Sequence, residues 1–322
     1  MAFTSVEICT GAGGQAHGLE MAGFEHLALV EIEPPACATL RLNRPSWNVI
    51  EGDVRRFSGK QYKGVDLIAG GVPCPPFSKA GKQMGADDER DLFPEAIRLV
   101  DECRPQAVML ENVRGLLDAV FEDYRNKVEL QLKKLGYRAQ WRLLNASDFG
   151  VPQLRPRVIF VGIKKSFADS FYWPAPNEAS APTVGECLFD LMSARGWRGA
   201  TRWRDRASSI APTLVGGSKK HGGPDLGPTR AKRAWAALSV DGHGLADEAP
   251  DRDFNITGMP RLTPRMTARL QGFDDDWQIF GRKTAAYRQI GNAFPPPVAR
   301  AVGIQIASAL EANASRKIMR AA

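Results

Sequence analysis

A doubly wound α/β fold, with a mostly parallel sheet and a second, smaller domain, is what this sequence predicts, and three observations carry the prediction. In the first half, short β-branched or aliphatic runs alternate with helical stretches, and each run ends in a turn signal, which is the rhythm of βαβ units. From about Tyr172 that rhythm is lost. Pro174–Pro182 (PAPNEASAP) reads as a connector, because repeated Pro and small polar residues resist both helix and ladder. The tail then turns helical again, with apolar residues at helical spacing over Pro297–Asn313 (PVARAVGIQIASALEAN), as expected of an amphipathic helix docking on a core.

In chain order, the apolar runs place strands at Thr4–Ile8, His26–Glu31, Asn48–Ile50, Val65–Gly70, Ala107–Leu110, Ala139–Leu143 and Arg157–Ile163. Helices fill Gln15–Ala22, Pro94–Cys103 and Asn126–Leu135. In such sheets ligands bind outside the carboxyl ends of the strands, so the loops that follow strands are the first place to look for chemistry.

Composition bounds the function. The 322 residues carry 43 Lys plus Arg against 36 Asp plus Glu, a net charge of +7, with 43% hydrophobic and 25% charged residues, which are globular values and exclude a disordered or collagen-like chain. Ten Arg or Lys against two Asp fall within Arg195–Trp235, beside seven glycines and three tryptophans, so this segment alone exceeds the excess charge of the whole chain. The five cysteines (Cys9, Cys37, Cys74, Cys103 and Cys187) are widely spaced and form no C-x-x-C pair, which indicates neither a disulfide framework nor a zinc knuckle and fits a reducing compartment. No apolar run approaches the roughly 18 residues of a membrane span, and the amino terminus lacks a signal-peptide pattern. A soluble cytoplasmic protein is expected.

Four motifs carry candidate chemistry. Gly11-Ala12-Gly13-Gly14-Gln15-Ala16 fits G-x-G-x-x-(G/A) between a strand and a helix, and Glu31 follows Gly11 by twenty residues. Glycines let backbone approach a ligand, and an acid ending the second strand accepts from ribose hydroxyls; NAD, FAD and S-adenosylmethionine sites all share this pattern, as do plain βα turns. Asp53, ending the third strand in Glu51-Gly52-Asp53-Val54, could accept from an adenine amino group or be a solvated turn aspartate. In Pro73-Cys74-Pro75-Pro76-Phe77-Ser78 a cysteine is fenced by three prolines at a strand end, a rigid backbone that suits an aimed nucleophile, although most isolated cysteines are small buried hydrophobes. Glu111-Asn112-Val113 ends the next strand, so Glu111 should open into the same crevice; a partly desolvated carboxyl there could give a proton to a ring nitrogen, or merely cap a helix or hold a salt bridge. In Gln153-Leu154-Arg155-Pro156-Arg157, at the start of the last strand, three polar heads point to one face and suit a phosphate or base edge.

Taken in order, this set resembles the cytosine-C5 DNA methyltransferases along nearly the whole chain. The Gly11–Gly14 turn with Glu31 and Asp53 is similar to that family's S-adenosylmethionine site, Pro-Cys-Pro-Pro-Phe-Ser to its nucleophile loop, Glu-Asn-Val to its catalytic element, and Gln153, Arg155 and Arg157 to its Gln-x-Arg-x-Arg element. Arg261–Arg265 (RLTPR) leading to Arg269–Phe273 (RLQGF) is similar to the element supporting the recognition domain, and Tyr287–Ala293 (YRQIGNA) to the last shared motif. Three positions depart from the pattern: Cys9 stands where a phenylalanine usually packs beside the adenine, Pro75 replaces a more frequent glutamine, and Met266 a common glutamate.

The resemblance implies a Rossmann-like methyltransferase fold with a catalytic domain over 1–173, a target-recognition domain over 174–283, and a segment over 284–322 that returns to the catalytic domain. It implies that the cofactor meets Cys9, Thr10, Gly11, Gly13, Gly14, Glu31, Ile32, Asp53, Val54, Pro73, Leu92, Asn292 and Ala293. Cys74 would attack C6 of a flipped-out cytosine while Glu111 serves N3, with Arg157 at the O2 edge and Arg155 and Gln153 supporting the loop. DNA contacts are expected from Ser78, Lys79, Arg90, Thr213, Leu214, Lys219, Lys220 and Arg230, with Thr213-Leu214 resembling a short Thr-Leu signature of the family's recognition regions. Double-stranded DNA is the implied partner of an expected monomer, held at the nucleoid through DNA binding and working beside a cognate restriction endonuclease without stable contact; S-adenosyl-L-homocysteine would be the product. No metal site is expected. The alternatives are a nicotinamide dehydrogenase, an RNA cytosine methyltransferase and a catalytically silent DNA-binding relative.

Overall fold

The computed structural model describes residues 2–73, 91–216 and 225–321, with side chains up to residue 312. The order of elements is β1 (Phe3–Ile8), α1 (Gly14–Met21), β2 (Phe24–Glu31), α2 (Pro34–Asn43), β3 (Val49–Glu51), β4 (Leu67–Gly70), α3 (Phe93–Cys103), β5 (Ala107–Val113), α4 (Glu122–Lys134), β6 (Tyr137–Asn145) and β7 (Pro156–Lys164). Then follow α5 (Val184–Ser193), α6 (Ala200–Arg206), α7 (Thr229–Ala237), α8 (Pro264–Leu270), α9 (Lys283–Asn292) and α10 (Pro296–Ala321). Seven strands form one sheet in the order β3-β2-β1-β4-β5-β7-β6. All are parallel except β7, which runs antiparallel to both β5 and β6. The doubly wound, mostly parallel α/β sheet read from the sequence is present.

Each face of the sheet has its own core. Leu67, Ala69, Met109, Ile159 and Val161 pack with Leu19 of α1 and with Val298, Val302, Ile306 and Leu310 of α10. On the opposite face Val6, Ile8, Ile68, Val108 and Leu110 pack with Phe93, Leu99 and Leu132 of α3 and α4. Burial on both faces is why these strands read as continuous apolar runs. The final helix docks as its spacing predicts, and at Gly18 the approach is so close that a Cβ would lie 2.4 Å from the carbonyl oxygen of Pro296.

Several boundaries differ from the sequence reading. β5 continues through Glu111 and Asn112 to Val113 because these residues pair with Ile159, Val158 and Arg157 of β7. The last strand begins at Pro156, so Gln153 and Arg155 precede it, and only Gln153 makes an isolated bridge, to Ala211. Asp53 lies past β3 and caps a short 3-10 turn, Val54–Arg56, by accepting from Arg55 N–H. The helix α2 escaped the sequence reading: Pro34-Pro35 looks like a breaker, but both prolines occupy the first turn, where no backbone N–H is needed.

Beyond the connector, α5, α6 and α7 gather Val184, Leu188, Met192, Trp197, Trp203 and Trp235 into a separate core, which Leu262, Met266, Leu270 and Tyr287 extend into α8 and α9. Met266 takes over the capping position at α8, because its sulfur accepts from Thr263 N–H at 3.4 Å while Thr263 Oγ1 accepts from Met266 N–H. The turn after α8 packs on the first unit: Gln278 and Asn43 exchange two hydrogen bonds of 2.7 Å, and Phe280 N–H donates to Thr39 Oγ1.

Candidate active site

A cavity of about 240 Å³ opens at the carboxyl ends of β1, β2 and β5. It is lined by Cys9, Thr10, Gly11 and Gln15 from the first βα turn, by Glu31, Glu33, Pro35 and Ala36 after β2, by Gly71 and Glu111, and by Ala285, Arg288, Gln289, Asn292, Ala293 and Phe294 from α9 and its end. Of the expected cofactor residues, Cys9, Thr10, Gly11, Glu31, Asn292 and Ala293 are thus brought together.

The glycines of the turn do different jobs. Gly11 has φ +58 and nothing within 4 Å of where its Cβ would stand, so its backbone faces open space. Gly13 has φ +83 and is hemmed in by Leu40 and Trp277, while a Cβ on Gly14 would stand 2.1 Å from the carbonyl oxygen of Phe294. Gly13 and Gly14 are therefore required by packing, and Gly11 by its exposure to the cavity. Gly11 N–H donates to Glu31 Oε2 at 2.7 Å, and Glu33 N–H donates to Glu31 Oε1 at 2.8 Å, so Glu31 is oriented at the end of its strand. Burial raises the pKa of Glu31, and its backbone donors oppose the rise. Cys9 carries a left-handed backbone, φ 52, and burial, aided by the nearby Glu31 charge, pushes its thiol up to about 12.

Other expected cofactor residues sit outside this cavity. Asp53 lines a neighbouring groove with Arg56 and Lys60 and accepts from the Arg55 side chain, which lowers its pKa. Ile32 is 55% exposed, Val54 is buried, and Pro73 and Leu92 are joined by a backbone hydrogen bond of 3.2 Å.

Glu111 is buried and forms an ion pair with Arg157, Nε to Oε1 at 2.8 Å. The ladder explains the contact: Glu111 faces Ile159 and Val113 faces Arg157, so Glu111 and Arg157 are diagonal neighbours on one face of the sheet. Burial raises the Glu111 pKa, with Arg157 and Arg155 pulling the other way. Asn112 donates to the carbonyl of Val72 at 2.9 Å, tying the end of β5 to the residues that lead toward position 74.

Gln153 and Arg155 do not share the exposure of Arg157. Both are fully buried, and their hydrogen bonds go to the chain itself. Arg155 donates to the carbonyls of Leu214, Gly291 and Ala293 at 2.8, 2.7 and 3.0 Å. Gln153 donates to Leu270 and Gln271 and accepts from Leu214 N–H. These two side chains therefore bind the Thr213–Leu214 stretch and the end of α9 to the sheet. Leu214 accordingly lies in the core of the second unit, and Thr213 Oγ1 donates to Leu154 O. Arg230 is exposed in the first turn of α7. Cys74, Ser78, Lys79, Arg90, Lys219 and Lys220 lie outside the described residues.

Sequence reasoning missed Gln15, Glu33, Pro35, Ala36, Gly71, Ala285, Arg288, Gln289 and Phe294 as cavity residues. For α9 a signal existed, because Ala285, Arg288, Gln289 and Asn292 are spaced three and four apart and share one helix face.

The model of the C-5 cytosine-specific DNA methylase family matches residues 3–308. The chain is 63% identical over 314 residues to Type II methyltransferase M.NgoMIV of Neisseria gonorrhoeae, covering 97% of this chain and 99% of that one. It is 59% identical over 309 residues to Type II methyltransferase M.NaeI of Lentzea aerocolonigenes, covering 95% and 75%. The crystal structure of the S. pombe Dnmt2 methyltransferase shares the fold, with a TM-score of 0.63 at 18% identity over 96% of this chain and 99% of that one. With the ordered motifs, the cavity and the Glu111–Arg157 pair on one framework, the chain belongs to the C-5 cytosine-specific DNA methylase family and is a DNA cytosine-5 methyltransferase.

Proposed function

We propose that this enzyme uses S-adenosyl-L-methionine to methylate C5 of a flipped-out cytosine within a specific double-stranded DNA site, through a covalent bond between Cys74 and C6. The observation that carries this reading is the buried Glu111 held by Arg157 at the edge of the cavity that also contains Gly11 and Glu31.

The cavity suits the cofactor chemically. Gly11 leaves open backbone, and Glu31 and the Asn292 side chain offer acceptors for ammonium and hydroxyl donors. When bound, S-adenosylmethionine supplies an electrophilic methyl group. Cytosine C5 is a poor nucleophile, so the chain's own residues must activate the ring. The Cys74 thiolate adds to C6 while the Glu111 carboxyl gives its proton to N3, and the C5–C6 double bond becomes an enamine that is nucleophilic at C5. After methylation the C5 proton leaves to a base, the Cys74–C6 bond breaks, and the N3 proton returns to Glu111. In this reading Arg157, which pairs with Glu111, holds the O2 edge of the base. A base stacked in duplex DNA exposes neither ring atom to these groups, so the cytosine must leave the helix.

The basic residues of Arg195–Trp235 serve as phosphate contacts in this reading, with Arg230, Lys219 and Lys220 among them. The two bacterial relatives are named as type II methyltransferases, which supports a modification role beside a restriction endonuclease; in this reading the enzyme acts as a monomer. Among the described residues no helix is long and apolar enough to cross a membrane. Bisulfite sequencing of DNA from cells expressing the protein tests the whole reading. Protection of cytosine at one recurring site is expected, and wholly converted DNA would refute it.

A further inference from the structure

The glycine-rich turn is held from two sides. On one side Gly11 N–H donates to Glu31. On the other the carbonyl of Ala12 accepts from the indole Nε1 of Trp277 at 3.1 Å, across 265 positions of sequence. Trp277 is only 2% exposed and sits in a packed aromatic cluster. Its ring stacks on His17 at 4.6 Å and lies near Phe273 at 6.0 Å, and the Arg44 guanidinium covers it at 5.3 Å. The partners are themselves fixed, because His17 Nε2 meets Asp274 at 2.7 Å and Arg44 pairs with Glu20 at 2.8 Å. The same ring explains Gly13, where a Cβ would stand 2.8 Å from a Trp277 ring carbon.

The Ala12–Gly13 peptide has a glycine on one side and can therefore rotate. A flip of that plane changes chiefly the ψ of Ala12 and the φ of Gly13, and glycine accepts either sign of φ. In the observed orientation Gly13 N–H donates to Thr10 O at 3.1 Å while Ala12 C=O points to the indole; a flip breaks both bonds. We propose that Trp277 is a positioning residue for cofactor binding. Its indole N–H fixes the Ala12–Gly13 peptide before any ligand arrives and so keeps Gly11 open to the cavity. Trp277 follows α8, in the stretch the sequence assigns to target recognition, so that stretch reaches the cofactor site through the Ala12 carbonyl. The inference rests on the reading of the cavity as the S-adenosylmethionine site.

The test is calorimetric titration of the full chain with S-adenosyl-L-homocysteine, for wild type and for Trp277→Phe, which keeps an aromatic ring but has no N–H. Affinity should fall about five-fold, the loss of one neutral hydrogen bond. The cofactor KM should rise by the same factor, with kcat at saturating cofactor and duplex affinity without cofactor both kept. Unchanged cofactor affinity, or an equal loss of cofactor and duplex affinity, overturns the proposal. Wild type that binds no S-adenosylhomocysteine overturns instead the reading of the cavity. If Trp277→Phe does not fold, hydrogen exchange on wild type decides: the Gly13 amide should be protected to the level of the β1 core without cofactor, and rapid exchange there would contradict a turn set in advance.

Discussion

Arg157 Nε stands 2.8 Å from Glu111 Oε1, and the two side chains are only 13% and 11% exposed. Burial favours the neutral carboxyl, while the guanidinium favours the charged one, and the balance leaves the Glu111 pKa above the ordinary carboxylate value. A carboxyl in that state can hold a proton for the base and give it up against a fixed cation.

Glu111→Gln should therefore cut methyl transfer by ~10²–10⁴-fold, the usual range for a general acid, with S-adenosylhomocysteine binding near wild type. In wild type the rate should decline on the alkaline side as pH rises through the raised Glu111 pKa, since the proton is then lost, and the mutant's residual rate should lack that limb. A labelled-methyl transfer assay across pH measures both; full activity in the mutant would remove Glu111 from the chemistry.

The glycines of the first turn should separate by role. Gly14→Ala places a methyl against the carbonyl of Phe294 and should cost about 3 kcal/mol or more of stability, because backbone cannot easily yield. Gly11→Ala meets no atom but adopts a left-handed backbone, at a cost of about 1–2 kcal/mol, and narrows the cavity. Thermal melting with cofactor titration should show Gly14→Ala losing the fold and Gly11→Ala losing chiefly cofactor affinity.

Much of this was legible in the sequence, and the misses have physical causes. The central strands β4, β5 and β7 stand out because burial on both faces makes them largely apolar, whereas the edge strands β3 and β6 are part exposed and show only shorter apolar runs; Glu111 and Glu31 follow from the rule that ligands sit beyond strand ends. Gln153 and Arg155 were grouped with Arg157 by alternation alone. Alternation governs side-chain direction only inside a strand, and the strand begins at Pro156, so Arg155 is free to turn to Leu214, Gly291 and Ala293. Those partners are remote in sequence, as Trp277 is from Ala12, and no local pattern announces them.

Arg155→Met should accordingly behave as a structural lesion. It strands three carbonyls that the guanidinium satisfies, and a loss of about 3 kcal/mol is expected, with cofactor and duplex affinities falling together. Denaturant unfolding beside both titrations checks this; retained stability with lost activity would indicate direct contact with the base instead.

Glu7 offers a pH test of the core. It is fully buried in β1, and burial, reinforced by the Glu31 charge, raises its pKa well above the usual value. Between the unfolded and folded pKa values the native chain holds a proton that the unfolded chain has lost, so stability falls as pH rises through that window. Glu7→Gln cannot titrate and should gain on wild type in melting temperature as pH rises above the ordinary glutamate range. A difference that is flat with pH would contradict the burial effect.

Arg230→Ala should lower affinity for any duplex while leaving the methylated site unchanged. One lost phosphate contact should flatten the slope of log affinity against log salt by about 0.9. An identical slope in a salt series would place Arg230 off the DNA.

The central claim is that Cys74 becomes bonded to the target base. A duplex bearing 5-fluorocytosine at the methylated position, incubated with enzyme and S-adenosylmethionine, cannot lose fluorine from C5 and should trap the adduct. Wild type should give a protein–DNA complex that survives denaturing electrophoresis, and Cys74→Ala should give none. An equally stable complex with Cys74→Ala, or no complex with an active wild type, would contradict it.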